Sequence, residues 1–487
     1  MSRWVLALAI MLVYLGIAFL FGMLAGRGRS AWSVSEFAVA NRELGLLLMW
    51  FLMGGTVFSA FAFLGGPGWA YSRGAASFYI LAYSALGMLP WYLIGPKAAR
   101  LGRQRGYFTM GDFLRDRYGS SLLGVIVGLV AVLAFIQYLT LQIKGMAYVF
   151  EVLTEGHIPF WAGALLAYGI VVAYVSTSGV RGAAWSDVFQ GLLMLLVAWG
   201  MGLYLVFSLH GGPGPMFQAI DAARPGFLRL GGPGSTMSPM AYSTAILVSV
   251  LGFIMWPHLF MKSFTTSEQR IKQTVLAYPL FAIFLVPVLF IGFAGVLNVP
   301  ADALENPDQV LPYMLTNLLP VSGWLFGLIG AGTLAAAMSS ADAITHGAAV
   351  ELTRDVILPL APALTEREQV WIMRAAVVVI GAAAYWLAIF GAAGLVQLLL
   401  GAYGSIVQFA PLIYGGLYWP RATRAGALSG LVAGVLVNSY FQLVQPVTPL
   451  DINPGILGLL ANVALFVAVS WVTRPASTEV GEAFLQA

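Results

Sequence analysis

The sequence predicts an all-α integral membrane protein of about thirteen transmembrane helices, built as one membrane domain over 1–487. Hydrophobic residues fill 60% of the 487 positions and charged residues only 9%. An ordinary soluble domain carries about 25% charged residues, so this chain cannot cover a water-facing surface. Apolar stretches of the roughly 20 residues that a bilayer core requires recur from end to end. A soluble enzyme is excluded.

The first span lies at 4–24. Arg3 before an apolar run is also how a signal peptide begins, but the run exceeds the usual 7–15 residues and lacks a clean small-x-small cleavage site. Further spans fall near 45–66, 75–95, 121–149, 159–177, 185–208, 241–262, 272–297, 322–349, 370–390, 394–417, 424–444 and 455–473. Counting Lys and Arg by loop orients them. With the N-terminus outside, nineteen of the 24 basic residues fall inside, in clusters such as Arg27–Arg29–Arg42, Lys97 to Arg117, and Lys262–Arg270–Lys272. Only Arg3, Arg73, Arg224 and Arg229 fall outside, and Lys144 lies within a span. The expectation is N-terminus outside and C-terminus inside, in the plasma membrane. The 210–240 loop carries GGPGP and GGPG breakers, and 298–311, with Asp302, Glu305 and Asp308, reads as acidic and external. The tail after Arg474 is too short for a further domain. There is no cysteine, which excludes disulfides and thiolate metal sites, and the net charge of +4 is no nucleic-acid signal.

Two spans are interrupted. The second reads Met53-Gly54-Gly55-Thr56-Val57-Phe58-Ser59 and continues to Gly65-Gly66-Pro67-Gly68; the seventh reads Gly252-Phe253-Ile254-Met255-Trp256-Pro257-His258. Irregular backbone at membrane depth is tolerated where it lines a protein-enclosed cavity. Each interrupted span heads a run of five, and matched interruptions in two halves point to a secondary transporter with inverted repeats. Gly and Pro also serve plain helix packing in membranes.

The ninth span holds Met338-Ser339-Ser340-Ala341-Asp342. Adjacent hydroxyls beside small residues supply neutral oxygens for a cation, completed by carbonyls freed at a broken helix; a small-residue packing face is the alternative reading. Asp342 and Asp187 are intramembrane acids, suited to a cation or a proton. Asp187 also reads as a helix N-terminal acid beside Arg181. Lys144, near Gln137 and Gln142, attracts an anionic solute, snorkels, or pairs with a carboxylate. The four histidines, at 157, 210, 258 and 346, show no metal-ligand spacing, and Trp256 stands beside the second interruption.

The chain resembles the sodium:solute symporter family over nearly its whole length. The resemblance rests, in order, on Ser35-Glu36-Phe37 to Gly45, Ser59 to Tyr71, and Ser178-Gly179-Val180-Arg181-Gly182 to Gln190. Pro257-His258, Met338 to Asp342 with Leu352-Thr353-Arg354-Asp355, and Gly416-Leu417-Tyr418-Trp419 complete it. It implies a five-plus-five inverted-repeat core of the LeuT type, with an extra helix at 4–24, repeats at 45–208 and 241–417, and two further helices at 424–473. It also implies a main sodium site at Gly55, Phe58, Ala336, Ser339 and Ser340. Members with a second sodium use an acid matched by Asp187 and hydroxyls after the serine pair. Here those positions are Asp342 and Ala343, a departure from the hydroxyls that a second sodium uses; Asp187 and Asp342 are the candidates for a second cation or proton site.

Val57 and Phe61 stand where sugar-transporting members carry polar residues. The runs Phe63 to Tyr71 and Trp256 to Lys262 look most like the monocarboxylate and pantothenate branch. The expected activity is therefore sodium-coupled symport of a small solute, a monocarboxylate first, by alternating access. Members that bind proline use positions matched by Ser249 and Phe253. With Thr56, Ser59, Trp256 and Lys144 these form the expected substrate contacts. The alternatives are a proton-coupled carrier, a sodium-coupled carrier of a proline-like amino acid, and a transporter-like membrane sensor. Expected partners are the solute, Na+ and the bilayer, with no nucleic acid and no obligate protein.

Overall fold

The computed structural model describes residues 2–25, 33–318, 322–391, 395–474 and 478–486. Every regular element among them is helical. A bilayer offers no partner for a backbone N–H or C=O, so each span must satisfy its own. Polar caps mark where helices begin. Ser120 accepts from Leu123 N, Ser267 from Arg270 N and Thr423 from Gly426 N, while Thr109–Asp112 and Thr365–Glu368 form reciprocal capping boxes.

The chain opens with α1 (Arg3–Ala25), a short α2 (Val34–Val39) and α3 (Leu46–Val57). Next come α4 (Gly66–Arg73), α5 (Tyr79–Leu86), α6 (Leu89–Arg105) and α7 (Met110–Tyr118). The long α8 (Ser121–Leu153) and α9 (Phe160–His210) are followed by α10 (Pro213–Ala223), which lies within the GGPG-flanked connection. The second half holds α11 (Pro239–Phe253), α12 (Pro257–Phe260), α13 (Glu268–Ala282), α14 (Leu285–Gly295) and α15 (Val310–Asn317). It continues through α16 (Gly323–Glu351), α17 (Leu358–Leu360), α18 (Glu366–Phe390), α19 (Leu395–Ile406) and α20 (Ala410–Tyr418). A close pair, α21 (Arg424–Leu443) and α22 (Pro454–Val472), and a final α23 (Thr478–Gln486) end it.

Among the described residues ten helices are long and apolar enough to span, and twelve if the bent pairs α2–α3 (112°) and α11–α12 (48°) each count as one. The 51-residue α9 holds two of the expected spans. It breaks at Gly179 (φ 59°, ψ −156°), where a Cβ would also stand 2.6 Å from the Phe37 carbonyl oxygen. Only glycine fits that conformation and that approach. With α9 divided there, twelve become the thirteen expected. Arg27 and Arg29 of the charge count lie outside the described residues.

At the centre lies α16, buried along most of its length against α1, α3, α8 and α9. Its Gly and Ala content lets those backbones close in. Gly330 meets Met11 and Leu153, and Gly332 meets Val197. Three expectations change. The second span runs as regular helix through Gly54-Gly55 and breaks only at Phe58, because Gly54 serves packing: a Cβ there would enter the Phe281 ring at 2.4 Å. Asp308 is buried at 4% exposure rather than lying in an open acidic loop. Lys262 is buried at 3% inside the bundle and is no loop residue.

Candidate functional site: the two broken helices

Helix α3 stops because Phe58 adopts φ −90°, ψ 83°, outside the helical range. The chain restarts at Phe61 in a π-helical turn that leads into α4. A break of this kind frees carbonyls on one side and N–H groups on the other. The carbonyls are met from α16. Ser339 Oγ lies 2.9 Å from Gly55 O and 3.1 Å from Ala336 O, and Ser340 Oγ lies 2.7 Å from Thr56 O and 3.3 Å from Gly55 O. The N–H groups are met from α8 and locally: Ala60 N donates to Gln142 Oε1 at 3.0 Å and Phe61 N to Ser59 Oγ at 3.2 Å. Each serine hydroxyl carries one hydrogen and two lone pairs. Turning those hydrogens aside leaves a neutral oxygen cluster of Gly55, Ala336, Ser339 and Ser340, with Phe58 on the break. Such a set suits a sodium ion.

Two acids stand beside it. A Cβ on Gly55 would lie 3.3 Å from Asp187 Cγ, so glycine lets the carboxylate come close. Asp342 Oδ2 accepts from Tyr174 Oη at 2.8 Å and Ser186 Oγ at 3.1 Å. Asp342 Oδ1 and both Asp187 oxygens have no hydrogen-bond partner, and both residues are wholly buried. The Lys262 ammonium donates to Leu52 O at 2.9 Å and Thr56 Oγ1 at 2.5 Å, within electrostatic reach of both acids. Buried charges persist only when compensated, and here two carboxylates face one ammonium. Sequence reasoning grouped Lys262 with the loop cations. The overlooked signal was its place in the apolar run Leu259-Phe260-Met261 and Phe264, five residues past the helix-starting Pro257.

At the second break α11 ends at Phe253, and Pro257 opens α12 with Trp256 as its cap. Proline suits a first helical position, where its missing N–H is not needed. The Trp256 ring lies 4.9 Å from Tyr138 and 5.5 Å from Tyr403. Phe253 lies 6.3 Å from Tyr83 and 6.2 Å from Tyr278. Phe58 stacks on Tyr278 at 6.0 Å, joining the two breaks. The Tyr138 hydroxyl lies beside that of Ser59. Among the described residues, Ser249 Oγ, Trp256 Nε1, Tyr79 Oη, Tyr278 Oη and Gln142 Nε2 are buried without a hydrogen bond.

Gly55, Ala336, Ser339 and Ser340 thus meet as the sequence implied, with Phe58 at the break and Asp187 and Asp342 next to them. Phe253 and Trp256 stand at the second break with Ser249 one turn before Phe253, and Ser59 stands at the first. Thr56 is held on the ion side by Lys262. Lys144 points elsewhere, donating to the Gly391 carbonyl and feeling Asp308. Arg181 pairs with Glu36 at 2.6 Å, so it does not serve Asp187. His346 bonds the Phe37 carbonyl at 2.8 Å and helps hold α2 in place.

A multi-pass bundle with two interrupted helices around an oxygen cluster defines a membrane transporter of the plasma membrane. The chain belongs to the sodium:solute symporter family, whose profile matches residues 37–434. It is 32% identical to an uncharacterised symporter, YhjB, of Bacillus subtilis, over 97% of this chain and 98% of that protein. It is 26% identical to a monocarboxylate transport permease of Rhizobium johnstonii (95% and 96% covered) and 29% identical to the sodium/pantothenate symporter of Escherichia coli (94% of each). These relatives are transporters, not enzymes. The fold is shared with a Na+-coupled sialic acid symporter solved in its substrate-bound, outward-open state. That likeness has a TM-score of 0.80 at 19% identity and covers 97% of this chain and 99% of that one.

Proposed function

We propose that this chain is a sodium-coupled symporter that brings a small organic carboxylate into the cell by alternating access. One observation carries the reading: the hydroxyls of Ser339 and Ser340 sit on the carbonyls of Gly55 and Thr56 that the break in α3 sets free. Sodium held by Gly55, Phe58, Ala336, Ser339 and Ser340 ties the broken α3 to α16 and stabilises one arrangement of the two. A ligand shifts only an equilibrium whose states it distinguishes. Coupling therefore requires that sodium and solute favour the same arrangement. The repeats at 45–208 and 241–417 then rock against each other, with the N-terminus outside and the C-terminus inside. The monocarboxylate and pantothenate relatives support a carboxylate as cargo.

The unpartnered oxygens of Asp187 and Asp342 favour a second reading, in which protons drive the carrier. Uptake into proteoliposomes with sodium and proton gradients imposed separately decides between them. Sodium-driven accumulation at equal pH supports the first; accumulation that follows only the proton gradient replaces it with the second.

A further inference from the structure

The stretch that follows the second break is laced to α3 along one seam. Just before α3 begins, Leu44 N donates to Thr265 O at 3.1 Å and Thr266 Oγ1 to Leu44 O at 2.6 Å. Within the helix, Thr265 Oγ1 donates to Met49 Sδ at 3.3 Å. Toward its end, the Lys262 ammonium donates to Leu52 O at 2.9 Å and to Thr56 Oγ1 at 2.5 Å. Thr56 Oγ1 in turn donates to Leu52 O at 2.5 Å, so ammonium, hydroxyl and carbonyl close a triangle.

Of these ties, the lysine is the one that reaches the ion site. Thr56, whose hydroxyl Lys262 holds, presents its carbonyl to Ser340 at 2.7 Å. Its neighbour Gly55 supplies the carbonyl that Ser339 and Ser340 both meet. In the other direction, tight turns join Lys262 to the second break: Leu259 N and Phe260 N bond Trp256 O at 2.9 Å, and Met261 N bonds Pro257 O and Leu259 O. An ionisable residue buried in a membrane bundle is costly and marks a function, and Lys262 is only 3% exposed. Because α3 ends at Val57, the ammonium also sits near the negative end of that helix dipole. A neutral side chain of equal length would fill the space and make neither bond.

Resting on the symport reading above, we propose that Lys262 is a positioning residue that couples the two breaks. It does not touch the ion. Through Thr56 it sets where the Gly55 and Thr56 carbonyls stand, and it carries a change at the ion site along the turns to Trp256. Sodium at the first break therefore restrains the second break even when no solute is present.

The test is hydrogen–deuterium exchange of the purified full-length chain in nanodiscs, in saturating sodium and in potassium medium, without solute. In the wild type, sodium should slow exchange by about tenfold in peptides covering 54–62 and also in those covering 252–262. Lys262→Met keeps the stem and removes the donor. It should preserve the slowing at 54–62 and abolish it at 252–262. Thr56→Val, which keeps shape and removes the hydroxyl that Lys262 grips, should do the same; should Lys262→Met fail to fold, Thr56→Val alone decides. A lysine that only stabilised the bundle would lower the melting temperature without separating the two sodium responses. Slowing at both breaks in both variants overturns the coupling role and leaves the symport reading intact. So does a wild type in which sodium slows exchange at the first break alone. A wild type that answers sodium at neither break overturns the coupling role and the sodium reading together.

Discussion

The two breaks are built differently. At the first, every freed group just described is answered from another part of the bundle or a nearby side chain. Serines from α16 meet the carbonyls and Gln142 from α8 meets an N–H. At the second, the backbone closes on itself: Met255 N bonds Gly252 O at 3.0 Å, and Leu259 N and Phe260 N both bond Trp256 O at 2.9 Å. What stays unanswered there is side chain, namely Ser249, Trp256 and His258 Nδ1. Cross-helix bonds break when helices move apart, whereas local turns travel with their helix. On the proposed function, the first break would sense motion and ion together, and the second would hold cargo.

The largest expected effect falls on the first break. Ser340→Ala removes an oxygen that would ligand the ion and a bond to Thr56 O. An interaction with a charged group is worth about 1.5–3 kcal/mol, so half-maximal sodium activation of uptake should rise about 10- to 100-fold. Solute affinity at saturating sodium should change little. Sodium dependence equal to wild type would remove Ser340 from the ion site.

A smaller effect separates the rim from both breaks. Asp308, in the connection between α14 and α15, accepts from Leu395 N at 3.0 Å and packs on Gly68, where a Cβ would stand 2.9 Å from its backbone nitrogen. It fastens the far half of the first broken span to α19. Burial pushes its carboxyl up to about 6, against the opposing pull of the Leu395 bond and Lys144. The folded value lies above the unfolded one, so ionised Asp308 burdens the fold fully above about pH 6. Stability should rise as pH falls from about 6 toward about 4, the ordinary carboxyl value. That interval of about two pH units bounds the effect at about 3 kcal/mol. Asp308→Asn should melt higher than wild type at neutral pH, and the gap should narrow on acidification, as read by thermal unfolding in detergent. A gap that widens as pH falls contradicts this sign.

Much of this was legible in sequence because membranes make patterning strict. Span positions follow from apolar length, and the Ser339-Ser340 pair stands out against the alanines and glycines of α16. What escaped was set by packing across the bundle. Gly54-Gly55 looks like a breaker pair, yet only its three-dimensional neighbours reveal that Gly54 makes room for Phe281 and Gly55 for Asp187. Lys262 and Asp308 carry charge near span ends, where solvent exposure is the ordinary outcome, and their burial depends on partners more than eighty residues away. Tyr79, Tyr278 and Gln142 lie in three different spans with no shared motif, so no local spacing joins them.

The glycines flanking the two breaks offer the finest test of their difference. A methyl on Gly54 would enter the Phe281 ring at 2.4 Å, and Phe281 is itself wedged against Phe51, Phe58 and Phe284. It has no room to retreat, so Gly54→Ala should destabilise by about 1–3 kcal/mol through overpacking. A methyl on Gly252 would stand 3.0 Å from the Tyr403 ring, a contact that a few tenths of an ångström relieves. The displacement asked of Tyr403 is smaller than the one asked of Phe281. Gly252→Ala should cost less than about 1 kcal/mol and act instead on solute binding, because the Tyr403 ring it displaces packs on Trp256 at the second break. Thermal unfolding of the two variants, compared with their binding of propionate, reads both effects. Equal destabilisation at the two positions would mean that the second break is packed as rigidly as the first.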